Sequence, residues 1–171
     1  MDSLAITVVG HDRPGIIART AEVLSAYRMN LEDSSMTLLR GHFAMTLVCA
    51  GEADPAEVEQ ALVAAVDPSL AVTVRPVPEE DEPVPVGSTY LVTVHGADRL
   101  GIVARLAGTI AAAGGNITDL TTRLTGTLYV LVAEVDLPPA TDAGALQAAL
   151  TGAGHELGVD VTVRRVENDD L

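Results

Sequence analysis

Eight residues of this chain have the types and spacing to grip a small ligand. Gly10, Asp12 and Gly15 lie in the segment Gly-His-Asp-Arg-Pro-Gly, and Gly96, Asp98 and Gly101 lie in Gly-Ala-Asp-Arg-Leu-Gly. Each segment stands between a β-branched run and a helix-forming run. Glycines at such a place let backbone N–H groups approach a ligand closely, and the start of a helix favours a carboxylate or phosphate. Further on come Asn30 and Asn116, whose amides offer both a donor and an acceptor. Backbone donors, an amide and a carboxylate would together suit a zwitterion: its carboxylate on the N–H groups, its ammonium on oxygens. A plainer reading stands beside this one. The glycines shape a tight turn, Asp12 and Asp98 cap the helices, and Asn30 and Asn116 are turn residues.

Other chemistry is poorly supported. There is no Gly-Lys-Ser/Thr for a nucleotide loop, and the spacing does not match a dinucleotide fingerprint. The four histidines, His11, His42, His95 and His155, show no metal-ligand spacing with each other or with Cys49. His11 reads as a solvated loop residue, and Cys49, in an apolar run, as a small buried hydrophobe. No nucleophile–base arrangement stands out. No catalytic residue, metal or cofactor is therefore assigned.

The elements that must position these residues occur twice. Thr7, Val8, Gly10, Asp12, Arg13, Gly15, Ile16, Ala18, Arg19 and Ala21 recur about 86 positions later as Thr93, Val94, Gly96, Asp98, Arg99, Gly101, Ile102, Ala104, Arg105 and Ala107. The same offset pairs Asn30 with Asn116 and Asp33 with Asp119. Near the ends, Val72-Thr73-Val74-Arg75 answers Val161-Thr162-Val163-Arg164 at an offset of about 89, which predicts a short insertion around Pro138 to Thr141.

Each copy reads as a strand (4–9 and 90–95), the glycine turn and a helix (14–27 and 100–113), with Pro14 suited to a first helical turn. A hairpin follows (30–39 with 42–50, and 116–125 with 127–135), then a second helix (55–66 and 142–152) and a closing strand (71–77 and 159–166). Asp54 is the expected cap of the second helix in the first copy. The order β-α-β-β-α-β is the ferredoxin-like split unit, an α+β fold with two helices on one face of a four-stranded antiparallel sheet. The expected boundaries are a first module at 1–77, a proline- and acid-rich linker at 78–87, a second module at 88–166 and an acidic tail at 167–171.

Composition narrows the function further. There are 24 acids against 10 bases, a net charge of −14, and every base is arginine. Seven of the 24 acids, Glu79, Glu80, Asp81, Glu82, Glu167, Asp169 and Asp170, lie in the linker and tail, so the modules themselves are only mildly acidic. Phosphate backbones and anionic membranes call for clustered cations, and aromatic content of 2% leaves few stacking groups. Direct nucleic-acid or membrane binding is not expected. The lone cysteine, the absence of a basic leader before an apolar segment and the lack of a long apolar run make a cytoplasmic protein the expectation.

The run Val8 to Ala18 followed by Met29-Asn30-Leu31-Glu32-Asp33, and Val94 to Ala104 followed by Gly114-Gly115-Asn116-Ile117-Thr118-Asp119, resemble two ACT domains of the Asp-Arg-x-Gly subgroup. That subgroup includes proteins of the glycine cleavage system repressor type, which consist of two such modules. The resemblance implies a non-catalytic regulator that binds a small amino acid at interfaces between ACT modules. It implies Asp12, Gly15 and Asn30, with Asp98, Gly101 and Asn116, as the ligand-binding residues. It also implies a protein partner, such as a transcription regulator, and a homo-oligomer. Ala97 in place of His11 and Leu100 in place of Pro14 imply two inequivalent sites. A ligand-free ACT-type interaction module is the alternative. An acylphosphatase-like enzyme shares the element order but lacks its phosphate loop here.

Overall fold

The computed structural model describes residues 2–78 and 87–166, so residues 79–86 of the linker and the tail 167–171 lie outside the described residues. The chain divides into two compact units, Met1–Asp81 and Glu82–Leu171. The first contains β1 (Asp2–His11), α1 (Ile16–Ala26), β2 (Asn30–Leu39), β3 (His42–Gly51), α2 (Pro55–Ala65) and β4 (Ala71–Val77). The second contains β5 (Ser88–Ala97), α3 (Ile102–Ala112), β6 (Asn116–Thr125), β7 (Leu128–Leu137), α4 (Ala143–Leu157) and β8 (Val159–Arg165). Each unit is the β-α-β-β-α-β module read from the sequence.

The first sheet runs β2-β3-β1-β4 and the second β6-β7-β5-β8, with every neighbouring pair antiparallel. Alternation decides which face is covered. Leu4, Ile6 and Val8 of β1 and Phe43, Met45, Leu47 and Cys49 of β3 are buried beneath Ile16, Thr20 and Leu24 of α1 and Val58 and Leu62 of α2. Val92, Val94, Leu131, Ala133 and Val135 do the same beneath Ile102, Leu106, Ile110, Leu146 and Leu150. Each fully buried leucine or isoleucine adds roughly 1.5–3 kcal/mol. Thr20, the polar member of the first core, donates its hydroxyl to the Ile16 carbonyl at 2.9 Å and so buries no unpaired group.

The β2–β3 turn is two residues, Arg40 (φ 51°) and Gly41 (φ 83°), both left-handed as a type I′ turn requires. Both hairpins carry a register shift at the same place, between Leu31 and Asp33 and between Ile117 and Asp119. Strand register confirms the insertion read from the sequence: Thr7 faces Thr73 while Thr93 faces Thr162. Part of it lies at Pro138–Thr141, where the loop before α4 is longer than the one before α2.

Three expectations are corrected. Pro14 lies in the turn before α1, not in its first turn, because Gly15 is the helix's N-cap. Asp12 and Asp98 cap nothing: the caps are Gly15 and Gly101, with no side-chain hydrogen bond. Helix α4 runs to Leu157 rather than stopping near Gly152. A Cβ on Gly154 would stand 2.9 Å from the Val159 carbonyl oxygen, so this glycine is where the helix packs closely on its strand rather than a helix end.

Candidate functional site

The glycine turn separates into two kinds of glycine. Gly10 is approached by its own fold: an added Cβ would sit 2.7 Å from Leu70 Cδ2 and 3.0 Å from the Ser69 carbonyl oxygen. Gly96 is crowded in the same way, with Val159 Cα at 3.1 Å. These two admit the turn that enters the last strand. Gly15 and Gly101 have φ of 91° and 89°, and an added Cβ at either meets nothing within 4 Å. They are glycines for their left-handed backbone, and they leave the surface open.

The helix that follows starts bare. The Arg19 N–H bonds the Gly15 carbonyl at 3.0 Å and the Arg105 N–H bonds the Gly101 carbonyl at 2.9 Å, so the three preceding N–H groups of each helix have no intrahelical partner. The second helices differ. Asp54 Oδ1 accepts from Ala56 and Glu57 N–H at 2.9 and 3.1 Å, and Asp142 Oδ1 accepts from Gly144 and Ala145 N–H at 2.9 and 3.1 Å. Asp54→Ala and Asp142→Ala are each expected to cost about 1 kcal/mol of stability. Denaturant titration checks this, and alanine at Asp12 or Asp98 should leave the midpoint unmoved.

Around the first turn, the Asp12 N–H donates to the Gly41 carbonyl at 3.0 Å and fastens the turn to the β2–β3 hairpin. Arg13 Nε lies 3.3 Å from Asp67 Oδ2. Hydrogen bonds from the Ser69 hydroxyl and N–H hold the Asp67 carboxyl below its usual range, and the charges of Arg13 and Arg19 lower it further. A shallow cleft of about 450 Å³ runs over Asp12, Gly15, Ile17, Met36 and Phe43. Two of the residues read as ligand-binding, Asp12 and Gly15, thus line one opening.

Asn30 is not with them. It pairs with Ala50, which pairs with Ser3 at the start of β1, whereas Gly10 pairs with Phe43 near its end. Roughly seven residues of strand separate the two levels, about 23 Å. Asn30 lines a different cleft, of about 670 Å³, beside Tyr27, Arg28 and Glu52. Asn116 stands likewise, facing Asp136 while Gly96 faces Tyr129. Within a single unit, the helix turn and the strand start therefore do not lie close.

A further cleft, of about 780 Å³, lies between α3 and α4, and sequence reasoning did not single it out. Its signal is there: Ala104, Gly108 and Ala112 on one helix and Ala145 and Ala149 on the other put small residues on facing turns. His11 is not a loop residue; it is the last residue of β1, opposite His42 on β3. Cys49 is buried, and burial, with the charge of Glu32, pushes its thiol above the usual value, which opposes a nucleophilic thiolate. Among the described residues no three His, Cys, Asp or Glu side chains cluster to hold a metal, and no helix is long and apolar enough to cross a membrane.

Two four-stranded sheets, each backed by two helices and repeated in tandem, place the protein in the class of tandem ferredoxin-like α+β modules. The chain belongs to the ACT domain family, whose model matches residues 2–74 and again 88–164. ACT domains in general bind small amino acids and often oligomerise. The chain is 44% identical over 75 residues to a UPF0237 protein of Methanopyrus kandleri, covering 83% of that protein but 43% of this chain. It is 35% identical over 74 residues to a UPF0237 protein of Lactococcus lactis, covering 84% of that protein and 43% of this chain. Such relatives match a single module. An unknown protein from Galdieria sulphuraria matches both, with a TM-score of 0.82, 29% identity and coverage of 97% of this chain and 99% of that one. A candidate glycine cleavage system transcriptional repressor shares the fold at a TM-score of 0.73 and 20% identity, over 98% of each chain.

Proposed function

We propose that this protein is a non-catalytic regulator that binds a small amino acid, glycine- or serine-like, and passes its state to a protein partner. The observation that carries this reading is the bare helix start at Gly15 and Gly101, built identically in two units whose other helices are capped by aspartate. Free N–H groups and the helix dipole suit an α-carboxylate. Asp12 and Asp98 stand beside them for an α-ammonium. Asn30 and Asn116 lie at the far end of their own sheets from the glycine turns, so in this reading they serve a ligand only at an interface with a second copy of the chain. Ala97 and Leu100 give the second unit's turn a different lip from His11 and Pro14, so the two sites differ in affinity.

The partner in this reading is a transcription regulator controlling amino-acid metabolism, the protein itself is cytoplasmic and homo-oligomeric, and it does not grip DNA directly. The net charge of −14 without lysine and the similarity in fold to the repressor candidate support this. Crystals soaked in glycine or serine should show density beside Gly15 or Gly101, and no gel shift should occur with DNA and the protein alone. Density confined to other surfaces, or salt-sensitive DNA binding, overturns the reading.

One observation favours the alternative of a ligand-free interaction module. Edge strand β2 leaves Leu31, Met36, Leu38 and Leu39 about half exposed. In that case assemblies grow with protein concentration and ignore amino acids, which analytical ultracentrifugation distinguishes.

A further inference from the structure

We propose that His11 and His42 form a binding site for a late first-row transition cation, nickel, copper or zinc, on the first unit. His11 closes β1 and His42 opens β3, and the two are direct cross-strand partners. Directly opposed residues project to the same face of a sheet with Cβ atoms about 4.5–5.5 Å apart. Since Val8 and Phe43 turn toward the helices, strand alternation turns His11 and His42 to the opposite face. Their ring centroids are 6.4 Å apart with planes at 88°.

An imidazole nitrogen binds such an ion at about 2.0–2.1 Å, which places two rings on one ion with centroids roughly 5–6 Å apart. A small side-chain rotation closes the difference. Both rings have room to turn: His11 and His42 are exposed. The backbone beneath them is fixed by the two-residue Arg40-Gly41 turn and by the Asp12 N–H bond to the Gly41 carbonyl, so the pair is preorganised for chelation. Imidazole pairs select nickel, copper and zinc over magnesium or calcium. With no third His, Cys, Asp or Glu joining them among the described residues, the ion keeps open positions for water or a small ligand, unlike a closed structural zinc.

The second unit shows that the pair is dispensable for the fold. At the same register it carries Ala97 opposite Leu128, so both imidazoles are missing together. This makes His11→Ala and His42→Leu clean variants, each a residue the sister unit already holds at that corner.

Calorimetric titration of the full chain with nickel chloride tests the proposal. The expected result is micromolar uptake of one ion per chain, weakened by more than about tenfold in His11→Ala and in His42→Leu, because each loses the chelate effect. His155→Ala, on α4, should bind as the parent does, and far-UV circular dichroism should show all three variants folded. A parent that takes up no nickel, or His11→Ala and His42→Leu chains that keep the parent's affinity, overturns it. Neither outcome depends on whether the protein binds an amino acid.

Discussion

Gly10→Val is expected to destabilise the first unit by about 3 kcal/mol, among the largest effects of any single replacement in the turn. The cause is packing, not ligand chemistry. An added Cβ already stands 2.7 Å from Leu70 Cδ2 and 3.0 Å from the Ser69 carbonyl oxygen, and 3.2 Å from Leu70 Cα. The leucine methyl can turn aside, but the backbone atoms move only if the turn into β4 lifts away from β1. Valine adds two methyl groups to that conflict. By contrast, Gly15→Ala meets no neighbour and is penalised only by its left-handed φ, roughly 1–2 kcal/mol. Thermal unfolding separates the two: a midpoint lowered by more than about 10 °C for Gly10→Val, and by clearly less for Gly15→Ala. Equal effects would mean that Gly10 is not the packing glycine described here.

Truncation beneath the second helix should be comparably severe. Leu62 of α2 and Leu150 of α4 occupy equivalent places in the two units, and neither exposes any surface. Each lies in a core built from the helix face of its own sheet. Leu62→Ala removes the transfer energy of three carbons and leaves a cavity that the rigid sheet cannot collapse to fill. The expected loss is about 2–5 kcal/mol, and Leu150→Ala should lose a similar amount. Chemical denaturation measures both. A loss below about 1 kcal/mol in either would mean that the helix is not the lid of that core.

Most of the fold was legible because the sequence says it twice. Thr7, Gly10, Arg13, Gly15 and Asn30 return in the same order, and strand alternation around Phe43, Met45, Leu47 and Cys49 identifies the buried face. Asp54 was recognisable as a cap because Pro55 follows it and the structure supplies the two expected N–H donors. Helix ends were less legible. Gly152 looks like a stop, yet α4 passes through it and through Gly154, where close packing against β8 needs a missing side chain rather than a break. Pro14 and Asp12 were misplaced for a related reason: the cap is Gly15, chosen for its φ of 91° and not for a side chain.

The candidate site was legible only in part. Residue types placed Asp12 with Gly15, and the structure brings these together. Spacing along the chain could not show that Asn30 sits at the other end of the sheet, because that follows from β2 running antiparallel to β3 and β3 to β1. The His11–His42 pair was hidden for the same reason. The two are far apart in sequence and become neighbours only through strand register.

Isothermal calorimetry with glycine and serine on the full chain tests the amino-acid sensor most directly. Saturable binding is expected, with a melting rise of about 2.7 kcal/mol in stability at a hundredfold excess over the dissociation constant. Gly15→Ala with Gly101→Ala should weaken the binding. If saturating millimolar glycine and serine produce no heat beyond dilution and leave melting unchanged, the protein is not the sensor described here.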